Sequence, residues 1–372
     1  MILMKKLEYI VALVGFYQIE NSFSGASEVS NSVFDSIKSK RKKIFQIKNY
    51  NFKFKNEYLN YIFFSFILKP IRIVFLILKL IFFFRETKKR LVIIEGCSWI
   101  GFSYILILIL KICFREILII YHAHNIEYEI RKQKNNKLIQ YFTKIFEKKV
   151  YELSNYATVV SKVDQVKIKK LYNVESIIFK NGISKKRLKV KRIRNFRLKN
   201  FIIFSGNFFY KPNEIAIKKL LIEILPKINK KFPEIKLILT GTDFPKYIFD
   251  YKNVVIKKKL EKSKLNYLIK NSLCSILPLT NSPGTKLKII ESLMLGNPII
   301  STKFAFKGID IKSKNPPFIL KKNSNIIELL NNLIKKNKIY KNKSLRDSNK
   351  YYKKEYTMEN IINNFFEKDG KI

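Results

Sequence analysis

Residues 277–302, LPLTNSPGTKLKIIESLMLGNPIIST, decide how the rest of the chain is read. An apolar run from Ser272 to Leu279 reads as a strand and Asn281 to Gly284 as a turn. Thr285 to Leu295 has helical apolar spacing, and Gly296-Asn297-Pro298 stops that helix before a strand from Ile299 to Thr302. A helix start just after a glycine turn suits an anion, because its first N–H groups are unpaired and the helix dipole adds partial positive charge. The backbone at Gly284 and Thr285 is therefore the expected cradle for a phosphate. At about 100° per residue, Gly284, Lys288 and Glu291 fall on one face of that helix. One turn then offers a cradle, a cation and a carboxylate able to accept hydrogen bonds from sugar hydroxyls. The plainer alternative is a solvated strand, loop and helix in which Lys288 and Glu291 form a pair worth roughly a few tenths of a kcal/mol.

Working outward, strands and helices alternate along the whole chain. Tyr9–Phe16, Lys43–Ile47, Leu91–Glu95, Ile117–His122 and Ala157–Ser161 read as strands, with helices at Glu28–Ser39, Gly101–Ile112 and Asn136–Leu153 and a long apolar helical region at Tyr58–Phe84. After Asn181-Gly182 comes a basic stretch, Lys185–Arg197, and then a second alternation: strand Phe201–Ser205, helix Glu214–Lys230, strands Ile235–Thr240 and Val254–Lys257, and helix Lys262–Asn271. The tail Leu345–Lys368 reads as helical and charged. Two doubly wound α/β domains follow from this order, with ligands expected beyond the carboxyl ends of the strands. The expected boundaries are a first domain at 1–184, a basic linker at 185–198, a second domain at 199–344 and a C-terminal helix at 345–372 packing back on the first.

The 372 residues exceed one ordinary core, which supports two domains. A formal charge of +46 sets a field that attracts polyanions, whether nucleic acid, lipid head groups or phosphorylated substrates. The lysine excess travels with Asn, Ile, Phe and Tyr, as in A- and T-rich coding, and no nucleic-acid motif organises it, so no specific nucleic-acid partner is expected. Cys97, Cys113 and Cys274 lack CxxC spacing and read as buried thiols in a reducing compartment. MILMKKLEYIVALVGFYQIE lacks a small-residue cleavage site and reads as a first buried strand. Tyr58–Phe84 is interrupted by Lys69, Pro70, Arg72 and Lys79, which argues against a span; peripheral contact with an anionic membrane and packing on a sheet are the two expectations for it. A cytoplasmic location, at the inner face of the plasma membrane, goes with that expectation.

Both histidines, His122 and His124, stand at the end of a strand in YHAHNIE. His122, two residues before His124 at the end of that strand, reads as a core histidine. Zinc is not expected, since no partner sits at ligand spacing and the nearest carboxylate is Glu127. Gly25, in NSFSGAS, opens the connection from the first strand to its helix. Gly206 and Gly241 end two strands of the second half and Gly284 follows a third, so three glycine-bearing strand ends face the same edge.

These elements together resemble the retaining glycosyltransferases of family 4, in the subgroup with a GTKLK-type donor signature. SGASEVSNSVFDSI looks like that family's glycine-rich first loop, AHNIE like its histidine motif, FKNGIS like its hinge strand and FSGNFFYKPN like the opening of its donor domain. SPGTKLKIIESLMLGNPIIST is similar to its donor signature and EYTMENIINNFFEK to its crossing C-terminal helix. The resemblance implies the GT-B fold: two Rossmann-like domains facing a central cleft, with a C-terminal helix crossing back to the first.

The resemblance also implies roles. His124 sits beside the donor sugar, Gly25 shapes the loop near diphosphate and acceptor, and Gly206 lies near the donor phosphates. Gly284 and Thr285 bind those phosphates through N–H groups, Lys286 or Lys288 supplies the charge, and Glu291 accepts from the ribose. The chain departs from the family in placing Pro283 where the first of two glutamates commonly stands, and Pro212-Asn213 where Lys-Asn is common. The implied reaction is retaining, metal-independent transfer from a nucleotide-diphosphate sugar, with no cofactor, to a cell-envelope or lipid-linked glycan. Another GT-B nucleotide-sugar enzyme, such as an epimerase, and a non-enzymatic polyanion-binding protein are the alternatives.

Overall fold

The computed structural model describes residues 8–20, 24–47, 69–96, 100–132, 137–280, 286–309, 318–319, 325–340 and 344–369. The chain divides into two compact units, one of Met1–Ser22, Ala26–Asn181 and Ile362–Ile372, the other of Phe23–Gly25 and Gly182–Ile361.

The first unit contains β1 (Ile10–Gly15), α1 (Gly25–Ser36), β2 (Lys42–Gln46), α2 (Lys69–Phe84), β3 (Arg90–Gly96), α3 (Ile100–Cys113) and β4 (Ile117–Ala123). A short α4 (Glu127–Lys132), then α5 (Lys137–Leu153), β5 (Tyr156–Val159), α6 (Lys162–Tyr172) and β6 (Ile177–Ile178) follow. Its strands form one parallel sheet in the order β2-β1-β3-β4-β5-β6. They are nearly continuous apolar runs because helices cover both faces. Val92, Ile94, Ile119 and Tyr121 pack with α2, α3, α5 and α6 on one face. The alternate residues Ile93, Ile120 and His122 turn to the other, toward Val33 of α1 and Ile37 just after it. That alternation puts the polar ends of β3 and β4 under α1.

The second unit contains β7 (Phe201–Asn207), α7 (Lys211–Lys219), α8 (Leu225–Lys231), β8 (Lys236–Thr242), β9 (Val254–Lys258), α9 (Lys262–Asn271), β10 (Ser275–Leu277), α10 (Leu287–Met294), β11 (Ile299–Ser301), β12 (Phe318–Ile319), α11 (Ile326–Tyr340), α12 (Ser344–Tyr356) and α13 (Met358–Asn364), the last ending within the first unit. Its parallel sheet has the order β12-β11-β10-β7-β8-β9.

Several boundaries differ from the sequence expectation for local reasons. The helix expected over Glu214–Lys230 breaks into α7, a π-turn at Leu220–Ile224, and α8. Pro226 lacks the N–H for an i−4 bond and its ring crowds the preceding turn. β5 ends at Val159 because Ser161 caps α6, its side chain accepting from Asp164 N. β10 stops at Leu277 because Pro278 cannot donate to the ladder.

The basic stretch 185–198 is tied into the second unit. Asn266 Nδ2 donates to the carbonyls of Arg187 and Lys189 at 2.8 and 2.9 Å, and Leu188, Ile193, Phe196 and Leu198 pack around Phe201 and Leu268. α12 also belongs there, with Tyr352 and Tyr356 buried in its core. Only from Ile362 does the tail count with the first unit, where the Phe365 ring sits 5.7 Å from Tyr156 and 5.4 Å from Phe179. Cys274 is buried as expected, and burial pushes its thiol up to about 12. Cys113, at the end of α3, is exposed, which corrects the expectation for it; Cys97 lies outside the described residues. Among the described residues no helix is long and apolar enough to cross a membrane.

Candidate functional site

In the second unit, β7 and β8 run side by side so that Gly206 pairs with Gly241 and Asn207 with Thr242. Gly241 has φ 137°, and a Cβ built there would lie 1.7 Å from the Gly206 carbonyl oxygen. Its lack of a side chain is thus required by strand-to-strand approach. At Gly206 a Cβ would meet Asn213 Nδ2 at 2.9 Å and Lys288 Nζ at 3.1 Å. Lys288 Nζ donates to Ser205 O and Asn213 Oδ1, both at 2.9 Å, and lies 5.1 Å from the Phe204 ring centroid. Asn213 Nδ2 closes the clasp by donating to Asn207 O at 2.7 Å. Burial pushes the Lys288 ammonium down to about 8, against the attraction of Glu291, and the neighbouring charge of Lys286 adds to the depression.

α10 begins at Leu287 rather than at Thr285. Lys286, with φ −84° and ψ 91°, is its extended N-cap residue. It is 7% exposed, and its Nζ lies 5.3 Å from the Phe304 ring centroid. Gly284 and Thr285 lie outside the described residues. Glu291 is 5% exposed and pairs with Lys262 Nζ at 2.6 Å, not with Lys288. Sequence spacing did not point to Lys262, which comes from the start of α9 and meets Glu291 only in the fold.

In the first unit the histidines converge on a carboxylate that the sequence reading passed over. Glu95 pairs with His122 across β3 and β4, and His124 lies two residues on, so all three side chains share the α1 face. Ser30 Oγ of α1 donates to Glu95 Oε2 at 2.9 Å. His124 Nε2 bonds the same oxygen at 2.5 Å, and His122 Nδ1 lies 3.4 Å from Glu95 Oε1. Tyr17 Oη and Ser30 Oγ are 2.6 Å apart, which extends the network to the loop after β1. The donor atoms of Glu95, His122 and His124 all lie within 4.8 Å of one another, and the Glu95 side chain is fully buried.

Burial alone would raise the Glu95 carboxyl. Attraction to His122 and His124, with their hydrogen bonds, outweighs it and holds the group below the usual carboxylate range. Burial pushes the His124 imidazole below its ordinary value, although Glu95 pulls the other way. His122 Nε2 has no hydrogen-bond partner among the described residues; its ring sits 4.7 Å from Phe179 beside an apolar cavity, the core role expected for it.

The segment following the histidines is held from α5. Glu147 accepts from the Glu127 and Tyr128 N–H groups at 2.7 and 3.0 Å and from Tyr172 Oη at 2.7 Å, capping α4. Desolvation raises the Glu147 carboxyl to about 7 against those three bonds. Glu127 itself pairs with Arg131 at 3.5 Å. Gly25 is exposed at the start of α1, and a Cβ there would meet nothing within 4 Å.

Residues 199–335 match the family model described as Glycosyl transferases group 1. No curated protein matches the chain. Among solved structures the chain is similar to TarM, with 16% identity and a TM-score of 0.56, covering 79% of this chain but 57% of TarM, so it spans just over half that protein's length. It is similar to HepE of Anabaena, solved with UDP and glucose, with 12% identity and a TM-score of 0.64, covering 98% of this chain and 100% of that one. Sucrose-phosphate synthase from Thermosynechococcus elongatus is similar at 11% identity and a TM-score of 0.62, covering 95% and 96%. The chain thus has the GT-B fold of two Rossmann-like domains, and residues 199–335, within its second unit, match the glycosyl transferases group 1 model.

Proposed function

We propose that the chain is a retaining, metal-independent glycosyltransferase that moves a sugar from a nucleotide-diphosphate sugar to a cell-envelope or lipid-linked glycan. Lys288 carries this assignment. It is a half-buried cation at the carboxyl end of β7, inside the segment that matches the family model, and its two hydrogen-bond acceptors are both neutral oxygens. Among the described residues it makes no ion pair, while burial depresses its pKa. A desolvated ammonium without a counter-ion is suited to an anionic ligand. An ammonium has three donors, so the third is assigned to a donor phosphate oxygen.

In the proposed reaction the bond from the anomeric carbon to the diphosphate oxygen breaks. The acceptor oxygen bonds that carbon on the same face, and its proton passes to the departing phosphate oxygen. Lys288, with Gly206 and Gly241 at the strand ends and Gly284, Thr285 and Lys286 at the helix start, stabilises the departing diphosphate with dipoles and charges already in place. Glu291 accepts from the ribose hydroxyls in exchange for Lys262. His124 serves the transferred sugar as an uncharged imidazole, and Gly25 shapes the loop near the diphosphate and acceptor.

Thermal-shift and calorimetric titration with a panel of nucleoside diphosphates tests the assignment, since a ligand that binds only the folded state raises its melting temperature. Affinity is expected to be level up to about pH 8 and then to fall by up to about tenfold per pH unit, because binding needs the protonated ammonium that the free protein loses there. Lys288→Arg keeps its charge and is expected to flatten the profile. No stabilisation by any nucleoside diphosphate, or the same pH profile in both proteins, would overturn the role of Lys288. Isomerised nucleotide sugar formed without an acceptor would establish the epimerase instead.

Glu291→Ala is expected to weaken donor binding by roughly 10- to 100-fold, the usual worth of hydrogen bonds to a buried carboxylate. Lys262→Ala, which removes the competitor for that carboxylate, is expected to leave donor affinity equal or tighter. Unchanged affinity in Glu291→Ala removes Glu291 from the donor site.

A further inference from the structure

We infer that the outer face of the helical layer formed by α2, α3 and α5 docks on an anionic lipid surface. α2 carries large apolar side chains on both sides: Ile73, Leu76, Ile77 and Leu80 are buried on the sheet side, whereas Ile71, Val74, Phe75, Leu78 and Phe82 on the far side are 48 to 62% exposed. A helix of that kind is stable only with an apolar medium on both sides, and among the described residues nothing covers the second side. The patch continues across the layer, since α2 packs on α3 and α3 on α5. Ile112 on α3 is 83% exposed, and Leu138 and Tyr141 on α5 are 65 and 62% exposed.

The charge on this face selects the occupant. α2 and α3 carry Arg72, Lys79 and Lys111 and no carboxylate in either helix. Arg85, which also pairs with Glu86 at 3.3 Å, lies 4.0 Å over the exposed Phe82 ring, and Lys144 and Lys148 are exposed along α5, Lys148 within 3.5 Å of Glu152. Large apolar side chains with cations interleaved match the boundary between acyl chains and anionic head groups. A second copy of this chain would bring the same cations face to face, which opposes self-association. Since no described helix is long and apolar enough to cross a membrane, the contact is one of lying on the surface. This docking is independent of the proposed sugar transfer and is tested without it.

The test is flotation of the full chain with vesicles of phosphatidylglycerol and phosphatidylcholine in equal parts, against phosphatidylcholine alone. The wild type is expected to float with the anionic vesicles. Phe75→Ser with Leu78→Ser leaves the charge unchanged and alters two exposed positions, so its melting temperature should hold while its vesicle partitioning falls by at least about tenfold. Three results overturn the inference: wild-type protein that stays unbound at low salt, a double variant that floats equally well, which would assign binding to diffuse charge alone, or dimers lost in the double variant without flotation of the wild type, which would assign the face to a second copy.

Discussion

Glu95→Ala is expected to cost the first unit about 3 to 5 kcal/mol, because it leaves several buried hydrogen-bonding groups without their acceptor at roughly 1 to 3 kcal/mol each. The Glu95 side chain is fully buried, and Ser30 Oγ, His124 Nε2 and His122 Nδ1 all meet its oxygens. Alanine leaves those three groups without an acceptor in a site shut from water and also leaves a cavity. Glu95→Gln keeps one carbonyl oxygen for Ser30 or His124 and should cost less. The comparison is made by urea denaturation, reading the midpoint and slope of both variants. A loss below about 1 kcal/mol in the alanine variant would mean that the orphaned groups reach water.

The same network sets an acid limit on stability. The folded Glu95 has a pKa below its ordinary 4.5 and the folded His124 one below its ordinary 6.5. In each case the unfolded chain binds more protons over the window between the two states' pKa values. The contribution from His124 is therefore present above 6.5 and is lost as pH falls through its folded pKa. That of Glu95 is present above 4.5 and is lost lower still. Denaturation midpoints should decline on acidification below about pH 6.5, and Glu95→Gln should blunt the decline at its most acidic end. His124→Ala, which keeps Glu95 bonded to Ser30, is expected to slow transfer while the fold holds; wild-type turnover in it would free His124 from any part in the reaction.

The second large effect is expected at Gly241. An alanine Cβ would lie 1.7 Å from the Gly206 carbonyl oxygen and 2.7 Å from its carbon, both backbone atoms of the neighbouring strand, and φ is 137°. No rotamer relieves that overlap, so β7 and β8 must separate or the peptide must turn. Either change disrupts the middle of the second sheet, and the cost should exceed about 4 kcal/mol. Gly25→Ala is the control, because its Cβ enters open space and the residue starts a helix. Soluble yield and melting temperature should collapse for Gly241→Ala and stay unchanged for Gly25→Ala. A near-native melt for Gly241→Ala would show that the strands can part there at little cost.

Much of the architecture was legible before any coordinates. The runs IVALVG, RLVIIEG and ILIIYHA are too apolar to face water on either side, so they had to be central strands covered by helices, and they are. The π-turn before Pro226 and the late start of α10 were less legible, because each depends on a backbone angle or a missing N–H where propensities still favour helix. Gly241 stood out as a glycine, yet its reason lay across the sheet, in the carbonyl of Gly206.

The site divides in the same way. His124, Lys288 and Glu291 could be picked out along the chain, because strand ends and helix starts are where polar groups remain available for ligands. Glu95 interrupts an apolar strand at its end and was a signal that register alone could have turned into a partner for His122. Lys262, Asn213 and Ser30 carried no comparable signal. Chain-local patterning thus settled which segments are strands and helices and which polar residues stand at their ends, since burial and backbone hydrogen bonding act over a few residues. Which carboxylate meets which cation, and which glycine a neighbouring strand requires, depended on register and packing between segments tens of residues apart, where contacts of a few ångströms arise from the assembled sheet and from no local preference.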